Sequence, residues 1–164
     1  MEPSELSADP IRADSVTFLQ SDHLILHIEF QTDPDGDMPL RMLDYWVRLR
    51  RRYRHKPLHQ VVIYLRPTRS ERVFQTELRE EKTSHAFEVI RLWEQDPELL
   101  MSTPALLPFV VLSQIVDPEA QLRRVAQVIE RIPELPIQKN VSAATAVLAG
   151  LALSDTVVEA ILEE

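Results

Sequence analysis

The spacing of apolar and polar residues changes along the chain. Asp14 to Leu19 and His23 to Gln31 are rich in Val, Thr, Ile, Leu and Phe, with Ser21 and Asp22 between them, the pattern of a β-hairpin. In the second of these strands Ile25 and His27 occupy one side and Leu24, Leu26, Ile28 and Phe30 the other, so both sides are largely apolar, as in a central strand covered on both faces. A polar loop over 32–39 follows. Met42, Trp46, Leu49 and Tyr53 then recur at i, i+4, i+7 and i+11, which predicts an amphipathic helix from Leu40 to Arg54. Gln60 to Leu65 is an apolar run of strand length, and Arg72 to Leu78 and Ala86 to Trp93 read as two strands flanking a charged turn around Glu80 to Thr83. From Pro97 onward the pattern is helical: Asp117 stands as an N-cap before Pro118 to Ile132, whose stripe is Leu122, Val125, Ile129 and Ile132, and Val141 to Leu151 and Thr156 to Leu162 predict two more helices. The expected fold class is α/β (α+β), a mixed central sheet with flanking helices. Residues 1–96 would form its core and 97–164 a helical C-terminal region packed on the same domain.

Composition narrows this picture. With 164 residues, 45% of them hydrophobic, the chain has the size and core of one domain. The lack of cysteine excludes disulfides, thiolate zinc sites and cysteine nucleophiles, and fits the reducing cytoplasm. No apolar run approaches the ~20 residues of a membrane span, and the first residues resemble no signal peptide, so no membrane is expected. Glycine occurs only at Gly36 and Gly150, too few for a phosphate-cradling loop, and no nucleotide cofactor is expected. The net charge of −8 argues against a general nucleic-acid coat. Yet Arg48, Arg50, Arg51, Arg52, Arg54, His55 and Lys56 lie close together. They are either a local attraction for phosphate or a solvated helix face balanced by neighbouring acids.

The chemistry concentrates in the hairpin. If Ser21 and Asp22 are its two turn residues, Gln20 faces His23 and Asp14 lies directly opposite Glu29. Such cross-strand Cβ atoms are roughly 4.5 to 5.5 Å apart, where two carboxylates repel unless something positive lies between them. A divalent cation is one answer; Arg41 on the following helix, paired with Glu29, is another. Gln31, two residues beyond Glu29, shares its face and could orient a water or a phosphate oxygen. His27 reads as a satisfied core histidine, and the five histidines show no triad or metal-ligand spacing.

Three stretches together, Ile11-Arg-Ala-Asp14, Leu26-His-Ile-Glu29-Phe-Gln31 and Met38-Pro-Leu-Arg41-Met-Leu-Asp-Tyr45-Trp, resemble the recombination-promoting nuclease and transposase-like family of the PD-(D/E)XK superfamily. The likeness runs on through Gln60-Val-Val-Ile-Tyr-Leu and Arg91-Leu-Trp-Glu-Gln-Asp-Pro into the helical tail. It implies a restriction-endonuclease-like sheet and a Mg²⁺- or Mn²⁺-dependent endonuclease hydrolysing DNA phosphodiesters. Asp14, Glu29 and the backbone carbonyl of Phe30 would hold the metal. Gln31 would stand where the superfamily usually has lysine, so the catalytic set is Asp14, Glu29 and Gln31. Arg41, Tyr45, Arg48 and Arg52 would line the row that meets the substrate. The family's αβββαβ core has a helix and a strand ahead of the segment matching Arg12-Ala-Asp14, and only the short stretch before Asp14 stands there. The expectation is therefore a core without them and a homodimer. A second reading is a catalytically inactive nuclease-fold interaction protein acting through oligomerisation, with an arginine or lysine rather than a metal against Glu29.

Overall fold

The computed structural model describes residues 15–20 and 24–162. It is a mixed α+β structure built on a four-stranded sheet of order β1-β2-β3-β6. Ser15–Gln20 (β1) and Ile25–Gln31 (β2) pair antiparallel, while Leu58–Tyr64 (β3) and Glu88–Arg91 (β6) run parallel to β2. The strands β1 and β2 are joined through residues 21–24 rather than by a two-residue turn, so the Cα partner of Glu29 is Val16 and not Asp14. Two-residue hairpin turns need positive φ at one or both central residues, a conformation that Ser and Asp adopt poorly; a longer connection removes the need. Asp14 and His23 lie outside the described residues.

Helix α1, Met38–Arg52, begins two residues earlier than the apolar pattern predicts, because Pro39 suits a first helical turn in which its missing N–H costs nothing. It carries the chain from β2 to the parallel β3. Between β3 and β6, the sequence predicts a strand from Arg72, but Glu71–Phe74 form a 3-10 turn, with the Ser70 hydroxyl accepting from the Arg72 N–H at 3.4 Å. The turn sends Val73, which is fully buried, into the core. Only Glu77–Arg79 (β4) remains extended there, paired with Ser84–Ala86 (β5) in a small separate hairpin.

Pro97–Met101 (α2) and a 3-10 stretch over Pro104–Leu112 lead into Pro118–Ile129 (α3), Leu135–Ala149 (α4) and Asp155–Leu162 (α5). Asp117 caps α3 as expected, its Oδ1 accepting from the Ala120 N–H at 3.0 Å. Helix α4 starts before the predicted Val141, again with a proline, Pro136, in its first turn. Among the described residues no helix is long and apolar enough to cross a membrane.

The two faces of the sheet are covered differently. On one, Met38 and Met42 of α1 pack with Val62, Tyr64, Val73 and Phe87. On the other, Leu65 and Leu92 pack with Leu112, and Phe30, Ile63 and Ile90 meet Phe109, Leu148 and Leu151, which docks the helical region onto the sheet. The Phe30 and Phe109 rings stack at 5.6 Å.

Met42 is completely buried between α1 and β3. Met42→Ala should therefore lower unfolding stability by about 2–5 kcal/mol in urea titrations. A loss below about 1 kcal/mol would mean that α1 does not dock as described.

Candidate functional site

Alternation along β2 places His27, Glu29 and Gln31 on the face beneath α1, and β3 places Gln60 and Tyr64 on that same face. All five are buried, His27 and Glu29 to 0% exposure. A carboxylate taken out of water this completely needs neutralisation. Arg41, from the first turns of α1, supplies it: its Nη2 donates to Glu29 Oε1 and its Nη1 to Asp35 Oδ2 at 2.7 Å. Gln31 Nε2 donates to the same Glu29 oxygen at 3.3 Å. Among the described residues Glu29 Oε2 accepts no hydrogen bond.

Beyond Glu29 the polar groups form a directed chain, and its proton positions follow from one fixed acceptor. The main-chain carbonyl of Met42 can only accept, so the Gln60 atom 2.9 Å from it is the amide nitrogen. That nitrogen's second hydrogen is directed at His27 Nδ1, 2.8 Å away. His27 therefore carries its proton on Nε2, which lies 4.0 Å from Glu29 Oε2, too far for a hydrogen bond. Gln60 Oε1 in turn accepts from His85 Nε2 at 2.7 Å. Burial, reinforced by the Arg41 charge, lowers the His27 pKa to about 4, and burial lowers that of His85. The Tyr45 ring meets His27 edge-on at 4.8 Å.

Comparison with protein-family models, curated proteins and solved structures finds no match.

The structure brings together Glu29, Gln31, Arg41 and Tyr45 from the expected set. Asp14 lies outside the described residues. Arg48 is half-exposed and paired with Asp44 at 2.9 Å, and Arg52 lies over the Tyr53 ring at 5.4 Å, so neither enters the cluster. Phe30 turns its ring to the opposite face of the sheet. Sequence reasoning passed over Asp35, Gln60, His85 and the role of His27. Parity alone could have placed His27 beside Glu29 and Gln31. The Gln60 and His85 contacts depend on strand register and tertiary packing, which no local pattern carries.

Among the described residues no three His, Asp or Glu side chains converge in a metal-binding group. The buried Oε2 of Glu29 is nevertheless an open hard-oxygen acceptor, and carboxylate and carbonyl donors suit Mg²⁺ or Mn²⁺.

The neutral state of His27 has a measurable consequence. Between pH 6.5, where it titrates unfolded, and about 4, where it titrates folded, the unfolded chain binds more protons, so its contribution to stability falls as pH falls. The full loss is on the order of 3 kcal/mol. Urea midpoints measured from pH 7 to 4 should decline more steeply for the native protein than for His27→Asn, which keeps an acceptor toward Gln60 but cannot titrate. Parallel slopes would show that His27 is not held neutral.

Proposed function

We propose that this chain is a divalent-metal-dependent phosphodiesterase acting on DNA, an endonuclease of the PD-(D/E)XK type, with Glu29, Gln31 and Asp14 as its catalytic residues. One observation carries the reading: Glu29 is fully buried, one of its oxygens is neutralised by Arg41, and the other accepts no hydrogen bond among the described residues. A structural ion pair would have used both oxygens, since an unfilled buried acceptor is costly. The order hairpin, helix, parallel strand (β1, β2, α1, β3) is also what an αβββαβ core has after its first helix and strand, which supports a restriction-endonuclease-like assignment.

Asp14, Glu29 and the Phe30 carbonyl would hold Mg²⁺ or Mn²⁺. When bound, such an ion polarises the scissile phosphate and makes a coordinated water more acidic. The remaining work falls to side chains described above. Gln31 has an amide N–H committed to Glu29, which leaves its Oε1 to accept a hydrogen bond from the attacking water and orient it. It is neutral and orients without removing the proton. His27 is excluded as a general base, because Nδ1 is engaged by Gln60 and Nε2 already carries hydrogen. Arg41, partly exposed and shared between two carboxylates, is the cation nearest to where a phosphate oxygen would arrive. Arg48 and Arg52, further along α1, would contact the backbone of the DNA. The outer strands β1 and β6 leave sheet edges at which a second copy could add, in keeping with a cytoplasmic homodimer.

The Arg41–Glu29 pair also favours the second reading, a nuclease-fold interaction protein without metal, since a cation of the protein's own already meets the carboxylate. Nicking of supercoiled plasmid in Mg²⁺, Mn²⁺ or EDTA separates the two. The expected outcome is metal-dependent nicking that drops at least about 100-fold in Asp14→Ala and Glu29→Gln, with melting curves confirming that both variants fold. Folded native protein that nicks in neither metal would leave the interaction reading.

A further inference from the structure

A second cleft lies outside the Glu29 cluster, and the strand register explains it. Strand β6 joins β3 only from the Val61–Glu88 pair onward, so Leu58, His59 and Gln60 have β2 on one side and no strand on the other. Just before β6, the Phe87 N–H bonds the Thr76 carbonyl at 2.9 Å and takes the chain away from the sheet. The fork encloses about 400 Å³ between Trp46, His59, Gln60, Ser84, His85 and Glu88.

We infer that this fork binds an unpaired nucleobase, guanine before the others. Trp46 offers an aromatic wall. Arg50 lies over its ring at 5.3 Å and is held there by the Lys56 and Arg54 carbonyls at 3.0 and 3.3 Å. An indole with a fixed guanidinium is a stacking platform for a flat heterocycle, with a positive charge beside it for the attached phosphate. Gln60, buried at the floor, has every amide group engaged, and its Oε1 holds the His85 Nε2–H, which leaves Nδ1 as that ring's acceptor. Nδ1 and the Glu88 carboxylate are therefore both acceptors, and the ligand's edge must donate. Guanine presents two adjacent donors, N1–H and N2–H, that match a carboxylate bidentately; adenine and cytosine offer only an exocyclic amine, and uracil a single N3–H. Gln60 also sets the protonation of His27 beside Glu29, so the fork and the phosphodiester site share a residue. The inference rests on the nuclease reading for its purpose, as a base contact next to the scissile strand, but binding needs neither metal nor cleavage.

The test uses the full chain with Trp93→Phe, which leaves Trp46 as the single tryptophan. Its fluorescence is followed on titration with GMP, AMP, CMP and UMP in EDTA. GMP should quench saturably and bind about tenfold more tightly than the other three, and Glu88→Gln should abolish that preference. Equal or absent binding of the four nucleotides by folded protein, or a guanine preference that survives Glu88→Gln, overturns the inference. Guanine-selective binding by a chain that nicks no DNA would overturn the nuclease reading alone, whereas nicking without nucleotide selectivity would overturn only the fork.

Discussion

Glu29 is a carboxylate with no solvent around it, and the functional end of this molecule is organised by the need to neutralise it. The neutralising charge comes from α1, so the position of Arg41 ties the end of β2 to the start of the helix. The same guanidinium reaches Asp35, whose other oxygen accepts from the Asp37 N–H at 2.9 Å immediately before α1 begins. One arginine thereby joins the strand, the loop and the helix entry. Removing it would leave a buried charge uncompensated, which is far more damaging than losing a surface pair. Both functional readings depend on this arrangement, because each asks what shares Glu29 with Arg41.

The second organising element is Gln60. A glutamine amide can be built either way round, but next to a main-chain carbonyl only one orientation satisfies it, and that orientation passes a definite polarity to His27 on one side and His85 on the other. Buried polar chains of this kind are rigid when complete. The consequence is chemical as well as structural: an imidazole beside a reactive carboxylate is usually the first candidate for a base, and here the hydrogen-bond order removes it from that role. The Glu29 site is left with carboxylate, amide and guanidinium groups, which bind and orient but do not readily exchange protons near neutrality.

Sequence patterns made the long-period features legible. The stripe of Met42, Trp46 and Leu49 located α1, the Asp117 cap located α3, and the two-sided apolar character of β2 marked a strand with cover on both faces. Glu29 and Gln31 were readable as neighbours because strand parity is a local rule. The register of β1 against β2 was not, since a loop longer by two residues moves every cross-strand pair while leaving the apolar alternation intact. The turn at Glu71–Phe74 was hidden for a related reason: Val73 is a single buried residue, and one apolar position carries no period. Contacts such as Gln60 with His85 depend on where β5 lies relative to β3, which is set by tertiary packing.

An acidic chain can act on DNA only if its positive charge is placed, not abundant. The basic run after Trp46 is less free than its composition implies: Arg48 is paired with Asp44, Arg50 is fixed by two carbonyls over Trp46, and Arg52 lies on Tyr53. Held side chains give up little further conformational freedom when a phosphate arrives, so a few of them can position a strand, while the net charge of −8 keeps the rest of the surface from gripping duplex DNA indiscriminately. Association by this route is local, sensitive to salt at one end of α1, and weak wherever the chain cannot also engage the buried groups around Glu29. That coupling of a modest electrostatic approach to a buried polar site is what a protein with this charge balance needs if it is to cut selectively.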